Sequence, residues 1–275
     1  MEAPREQWRR FPERIARNVD ETLRLLARHD AKATFFVLGC VAERHPMLVK
    51  EIALAGHEVA LHGMWHHPVY DELPQHFAED LRRAKAIVES AAGIIVRGFR
   101  APYFSITRRS LWALPILRDC GFEYDSSIFP IRHFRYGIPG WQTAPHRINL
   151  TLFGGTGEII EIPVSTVRIA GLRIPFSGGA YLRMLPQRLV ARWIRKLNAR
   201  NLPAVVYFHP WELDPLQPRI KGPAFFRFRH YTGLRKMREK LEHLLNAFHF
   251  TTADRFCSTL SDKSGAQAPA QDGRI

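Results

Sequence analysis

Apolar positions recur along this chain in two rhythms, one helical and one strand-like, with glycines at the joints. Ile15, Val19, Leu23 and Leu26 share one face of residues 13–29, so the spacing predicts an amphipathic helix, with Pro12 suited to its first turn. Ala33-Thr-Phe-Phe-Val-Leu38 is too short for a helix and rich in strand formers, and predicts a buried strand. Residues 41–55 read as a helix closed by Gly56 as a left-handed cap; Val59-Ala-Leu61, bounded by Gly56 and Gly63, is the next buried strand. Phe77, Leu81, Ala84 and Val88 mark the inner face of a helix over 74–92, and Gly93 ends it before the apolar run Ile94-Ile-Val-Arg-Gly-Phe-Arg100. Thr107 can cap a further helix that runs to Cys120 and stops at Gly121. A glycine- and proline-richer middle, 131–181, contains the strand-like Ile159-Ile-Glu-Ile-Pro-Val164. Ala204-Val-Val-Tyr-Phe208 is the last predicted strand. Helices are expected over 186–200 and 231–247, the latter turning Leu234, Met237, Leu241 and Leu244 inward. From 258 to 275 the polar, Ala/Gly/Gln-rich tail has little to bury and is expected to be disordered.

A helix, a glycine and then an apolar strand, repeated, is the pattern of a parallel sheet or barrel wound with helices. Such sheets place their chemistry at the carboxyl ends of the strands. His62, Arg100, Asp125 and His209 all fall at or just past predicted strand ends. His62 and His66, four residues apart across a turn, can converge on one point, and neutral imidazole is a common metal ligand.

Composition narrows the setting. At 275 residues and 46% hydrophobic the chain can bury a substantial core, and nothing demands two domains. Cys40, Cys120 and Cys257 lie far apart and make neither a disulfide framework nor a cysteine metal site. The charged N-terminus and the lack of any long apolar run point to a cytoplasmic protein. The net charge of +14 makes an anionic partner plausible: nucleic acid, acidic glycan or anionic lipid. Basic and aromatic residues interleave from Arg219 to His230, which suits contact with a lipid-linked glycan at the inner membrane face; the plainer reading is a loop whose phenylalanines pack on the barrel. Nucleic acid is not the expected partner, since no motif for it accompanies the charge.

Five strings taken together, Ala33-Thr-Phe-Phe, His62-Gly-Met-Trp-His66, Arg100-Ala-Pro-Tyr103, Tyr124-Asp-Ser-Ser127 and Tyr207-Phe-His-Pro-Trp-Glu212, resemble in order and spacing the polysaccharide deacetylases with a NodB-like domain. The longer strings Tyr124-Asp-Ser-Ser-Ile-Phe-Pro and Phe208-His-Pro-Trp-Glu-Leu-Asp are similar to the branch found beside exosortase and exopolysaccharide loci. The resemblance implies one domain over 1–257 with a distorted (β/α)7-type barrel, here apparently without its first strand. It implies metal-dependent hydrolysis of N-acetyl groups on a polysaccharide or lipid-linked oligosaccharide. His62 and His66 match the histidine ligands of a divalent metal, expected to be zinc, with His67 a competitor for the second place. His209 matches the general acid, preceded by Tyr207 where the family usually has Leu. Arg100 and Pro102 match a motif whose arginine orients a catalytic carboxylate, and the backbone N–H of Tyr103 would help hold the oxyanion. Asp125 matches a carboxylate that tunes the catalytic histidine, although Tyr-Asp-Ser-Ser could equally be a turn with Asp bonding its own backbone. Glu161, Trp211 and Glu212 are candidate cleft residues.

The family also begins with a strand ending in an Asp-rich motif that supplies the base and a third metal ligand. No aspartate here precedes Asp20, which lies in the first helix. Two histidines alone make a poor zinc site. Either the start codon is assigned too far downstream, the favoured reading, or the chain is a truncated and inactive relative; beginning at Met1, it is expected to bind metal weakly and turn over little. A non-catalytic glycan-binding relative is the competing function, and a basic nucleic-acid binder the remoter one.

Overall fold

The computed structural model describes residues 12–264. The first helix, α1 (Ile15–Arg28), buries Val19, Leu25 and Leu26 on the face expected from their spacing. Strand β1 (Thr34–Val37) follows. The helix expected over 41–55 is two, α2 (Gly39–Arg44) and α3 (Pro46–Leu54). Pro46 explains the break: it has no N–H to continue α2, and its fixed φ suits the first turn of α3. Strand β2 (Glu58–Leu61) is buried at every position. Helix α4 (Pro74–Ala92) ends on Gly93 in the left-handed region, φ 72°. The apolar run 94–100 contributes only β3 (Gly98–Phe99) to the sheet. Thr107 accepts a hydrogen bond from the Arg109 amide in a turn, and α5 (Ala113–Asp119) begins later than expected.

The remaining strands are β4 (Tyr124–Asp125), β5 (His146–Asn149), β6 (Glu158–Glu161) and the hairpin of β7 (Thr166–Ile169) with β8 (Leu172–Pro175). The main sheet runs β1-β2-β3-β4-β6-β5, parallel throughout except for β5. It is an arc of a (β/α) barrel, open at β1, which has no second strand neighbour among the described residues. The apolar run 204–208 forms no ladder; its one bridge joins Tyr207 to Gly178.

Helices α2 to α5 cover one face, so that Leu48, Ile52, Leu81, Val88, Leu114 and Leu117 pack with Val37, Leu61 and Phe99. A second cluster joins α6 (Gly179–Met184), α7 (Gln187–Asn198) and α9 (Met237–Ala247) through Leu182, Val190, Ile194, Met237 and Leu241, with Leu25 from α1. The helix expected over 231–247 begins later than expected. Ala224–Tyr231 is a separate helix, α8, with no buried residue, and α9 starts at Met237. The tail expectation needs correcting too, because α10 (Ala253–Ser264) continues past Ser258. Cys257, Phe256 and Leu260 pack against Tyr124, Ile160 and Ile162, which gives this segment apolar surface to bury. Residues 265–275 lie outside the described ones. No described helix is long and apolar enough to cross a membrane.

One glycine fixes the middle of the sheet. A Cβ on Gly98 would stand 2.0 Å from Cζ and 2.1 Å from Oη of Tyr124. That ring is fully buried, and its hydroxyl donates to Glu58 Oε1 at 2.6 Å.

Candidate active site

The parallel strands bring the expected residues to their carboxyl ends. His62 follows β2, and its Nδ1 lies 2.6 Å from the carbonyl of Arg100, which follows β3. That bond makes Nδ1 the donor and leaves Nε2 with its lone pair. Burial first, then the neighbouring His66, Arg100 and His209, hold the His62 imidazole well below its ordinary pKa, so it is neutral. The rings of His62 and His66 are 5.2 Å apart, and His66 packs on Tyr103 at 4.6 Å. His66 and Tyr103 both hold left-handed backbone, φ 62° and 58°, a conformation non-glycine residues adopt at some cost. His67 lies instead in a pocket with Glu72, Asp80 and Phe77.

Arg100 is stacked between aromatic faces, 4.2 Å from the Phe36 centroid, 5.6 Å from Phe104 and 5.9 Å from Tyr207. Among the described residues its guanidinium clasps no carboxylate. Nε donates to the Ser126 carbonyl at 2.9 Å and Nη2 to the Ser126 hydroxyl at 2.7 Å. Tyr207, where Leu was expected, is accommodated because Gly178 offers bare backbone: a Cβ there would lie 2.1 Å from Tyr207 Cδ1.

Asp125 also departs from its expected role. Its Oδ1 accepts from the Ser127 hydroxyl, whose oxygen accepts the Ala101 amide at 2.7 Å, so the string 124–127 is a local hydrogen-bonded hub. The carboxylate that reaches His209 is Glu212. It sits three residues on, in the turn opened by His209, and folds back in a capping box: Oε2 accepts the His209 amide at 2.8 Å and faces Nδ1 at 3.2 Å. Glu212 is in turn ion-paired with the buried Arg183. Sequence reasoning named Glu212 only as a cleft residue, although the His-x-x-Glu spacing carried the signal; nothing distinguished Arg183 from the many other arginines.

Trp211 stacks between His209 at 5.3 Å and His230 at 4.3 Å, with Arg183 over its face at 5.2 Å. Surrounding protein and then His66, Arg183, Arg100 and His230 lower His209 to about 4. The resting imidazole is neutral, with Nδ1 on Glu212 and Nε2 turned to accept or deliver a proton.

Beneath these groups Asp125 and Glu161 face each other in register across β4 and β6, both fully buried. Asp125 Oδ2 and Glu161 Oε2 have no hydrogen-bond partner by heavy-atom geometry, yet a proton between the carboxyls satisfies both. Burial raises Asp125 to about 6 and Glu161 well above its ordinary value. The fold therefore keeps a proton that the unfolded chain has lost, and raising the pH through this range removes stability. Glu161→Gln is expected to flatten that fall between about pH 5 and about pH 8. Urea unfolding at a series of pH values reads it; parallel wild-type and variant curves would show that the pair does not share a proton.

The donor chemistry suits a divalent cation at two positions, His62 and His66. Among the described residues no set of three His, Cys, Asp or Glu side chains comes together, so the third ligand that catalytic zinc sites take is not among them.

Residues 11–124 match the family profile described as polysaccharide deacetylase. That stretch, about two fifths of the chain, is similar to the family. Residues 126–258 match a domain of unknown function (DUF3473), so the candidate site draws on both stretches. A chitooligosaccharide deacetylase of Sinorhizobium fredii is 38% identical over 88 residues, 30% of this chain and 39% of that protein. A peptidoglycan-N-acetylglucosamine deacetylase of Bacillus cereus is 34% identical over 89 residues, 32% of each chain. The chain thus spans little more than a third of the length of these curated relatives. A putative polysaccharide deacetylase from Mycobacterium smegmatis superposes with a TM-score of 0.59 at 20% identity, over 94% of this chain and 82% of that one, which shows a shared fold.

Proposed function

We propose that this protein hydrolyses the acetamido group of N-acetylated sugar residues, in a polysaccharide or a lipid-linked oligosaccharide, with a divalent cation, zinc by its ligand chemistry, held at His62 and His66. The reading is carried by the meeting of His62, His66, Arg100, Tyr103 and His209 at one sheet end. When bound, the cation would supply a Lewis acid and an activated water. The left-handed turn at Tyr103 positions a backbone N–H for the developing oxyanion. Arg100, locked on Ser126, holds the Tyr103 turn and His62 in fixed relation through its own backbone. His209, neutral at rest, takes up at Nε2 the proton shed by the attacking water and returns it to the departing nitrogen, while Glu212 steadies Nδ1–H. Trp211 and Tyr103, packed against His209 and His66, would border the sugar.

Acetate release from N-acetylhexosamine oligomers, with and without added zinc, tests the activity. Titration against a zinc-sensitive chromophore tests the cation separately: His62→Ala is expected to weaken zinc binding at least about tenfold, and unchanged affinity would remove these histidines from the site. The second reading, a glycan-binding protein without turnover, is favoured by the lack of a third ligand among the described residues. Oligomer binding by calorimetry with no acetate released would select it.

A further inference from the structure

A cluster of exposed apolar side chains on α8 is one that the chemistry above does not use. Every residue from Lys221 to Phe228 is exposed, and α8 presents Phe225 at 66%, Phe226 at 37% and Phe228 at 60% of full exposure. Leu216 before it is 74% exposed. The phenylalanines do not pack on the barrel. The helix is nevertheless held firmly from behind: Arg183 donates to the Arg229 carbonyl at 2.6 Å and the Thr232 carbonyl at 3.1 Å, the Ile220 amide donates to Tyr231 Oη at 2.7 Å, and His230 stacks on Trp211. A rigid platform thus displays aromatic side chains that cost hydration to expose.

Its stretch of chain is basic. Between Pro215 and Lys236 there are six Lys or Arg (219, 221, 227, 229, 235 and 236) and no Asp or Glu. Arg135 lies over Tyr103, and Phe134 beside it is 81% exposed. Arg229 is close enough to help depress His133, which places the 132–135 turn on the same side. Exposed aromatics among cations fit the boundary between acyl chains and anionic head groups, where the rings leave water and the cations meet phosphates. An acidic protein surface would satisfy the arginines but give three adjacent phenylalanines no apolar phase.

We propose that the α8 face docks the protein peripherally on an anionic membrane, with Phe225 and Phe228 entering the interface and Lys221 and Arg227 on lipid phosphates. Through the Trp211–His230 stack the docked face adjoins the catalytic cleft, so a glycan carried at the membrane surface would lie within reach. The proposal goes beyond the deacetylase reading and does not depend on it.

Flotation of the full chain with vesicles is the test, since it involves no substrate or turnover. The chain is expected to float with phosphatidylglycerol-rich vesicles and far less with phosphatidylcholine alone. Phe225→Ser/Phe228→Ser, which keeps every charge, is expected to weaken binding at least tenfold with an unchanged thermal transition. Lys221→Gln/Arg227→Gln is expected to lose about fivefold per charge, the loss shrinking in high salt. Tryptophan at Phe228 should shift its emission to the blue on the acidic vesicles. Equal flotation with both lipids, or of the serine variant and the wild type, would overturn the proposal. So would a concentration-dependent dimer in sedimentation that the serine variant abolishes, since the face would then be covered by a second copy.

Discussion

Asparagine in place of His209 is expected to lower acetate release by roughly 10²- to 10⁴-fold, the range for loss of a positioned proton carrier. The amide can keep a hydrogen bond with Glu212, so the turn of Pro210–Leu213 stays closed while the titrating Nε2 disappears. The loss should fall on kcat, because the ring acts on the leaving nitrogen rather than holding the sugar. Glu212→Gln is the companion. It retains an oxygen for the His209 amide but removes the charge that steadies the imidazolium and pairs with Arg183, so a smaller fall in kcat is expected, together with a less stable fold. Turnover of the asparagine variant within a few-fold of wild type would strip His209 of its role. Zinc affinity, read separately, should be unaffected by either change.

The largest expected structural effect lies at Gly98. Alanine there would drive a methyl to 2.0 Å from Tyr124 Cζ, and the ring has nowhere to retreat. It is sealed on all sides, and its hydroxyl is tied to Glu58, which also accepts from Thr34 Oγ1 at 2.6 Å and from the Asp254 amide at 3.0 Å. Displacing Tyr124 therefore disturbs β1, β2, β4 and the start of α10 together. A loss of about 3 kcal/mol or more is expected for Gly98→Ala. At roughly 2–4 °C per kcal/mol for a chain of this size, the thermal midpoint should fall by about 10 °C. Gly98→Ala combined with Tyr124→Leu should recover part of the loss by vacating the clash. Calorimetry that finds the single variant as stable as wild type would mean that β3 and β4 can separate freely.

Much of the fold was legible because burial imposes a period. The face of α1, the inner face of α4 and the glycine stop at Gly93 are all one-sided patterns that only a core-facing helix explains. Legibility failed where the partner is remote in sequence. The run 204–208 is as apolar as β2 but finds no ladder, and α8 shows no inward face because it has none. The helix past Ser258 depended on an apolar patch formed by Tyr124, Ile160 and Ile162, which nothing near it in sequence reveals. The site divides in the same way. The histidines and Arg100 could be placed because strand ends are where such sheets do chemistry. What each side chain bonds could not: Arg100 turns to Ser126, Asp125 to Ser127, and the carboxylate on His209 comes from its own turn.

The two family stretches meet at Asp125, and the sheet takes no notice of the border. Strand β4 straddles it, pairing with β3 on one side and β6 on the other, while Arg100 from the first stretch is anchored on Ser126 from the second. Neither half is a module that could be swapped or expressed by itself. Cutting the chain there would leave two fragments, each with a raw sheet edge and half the cleft, that regain a working shape only by complementing one another.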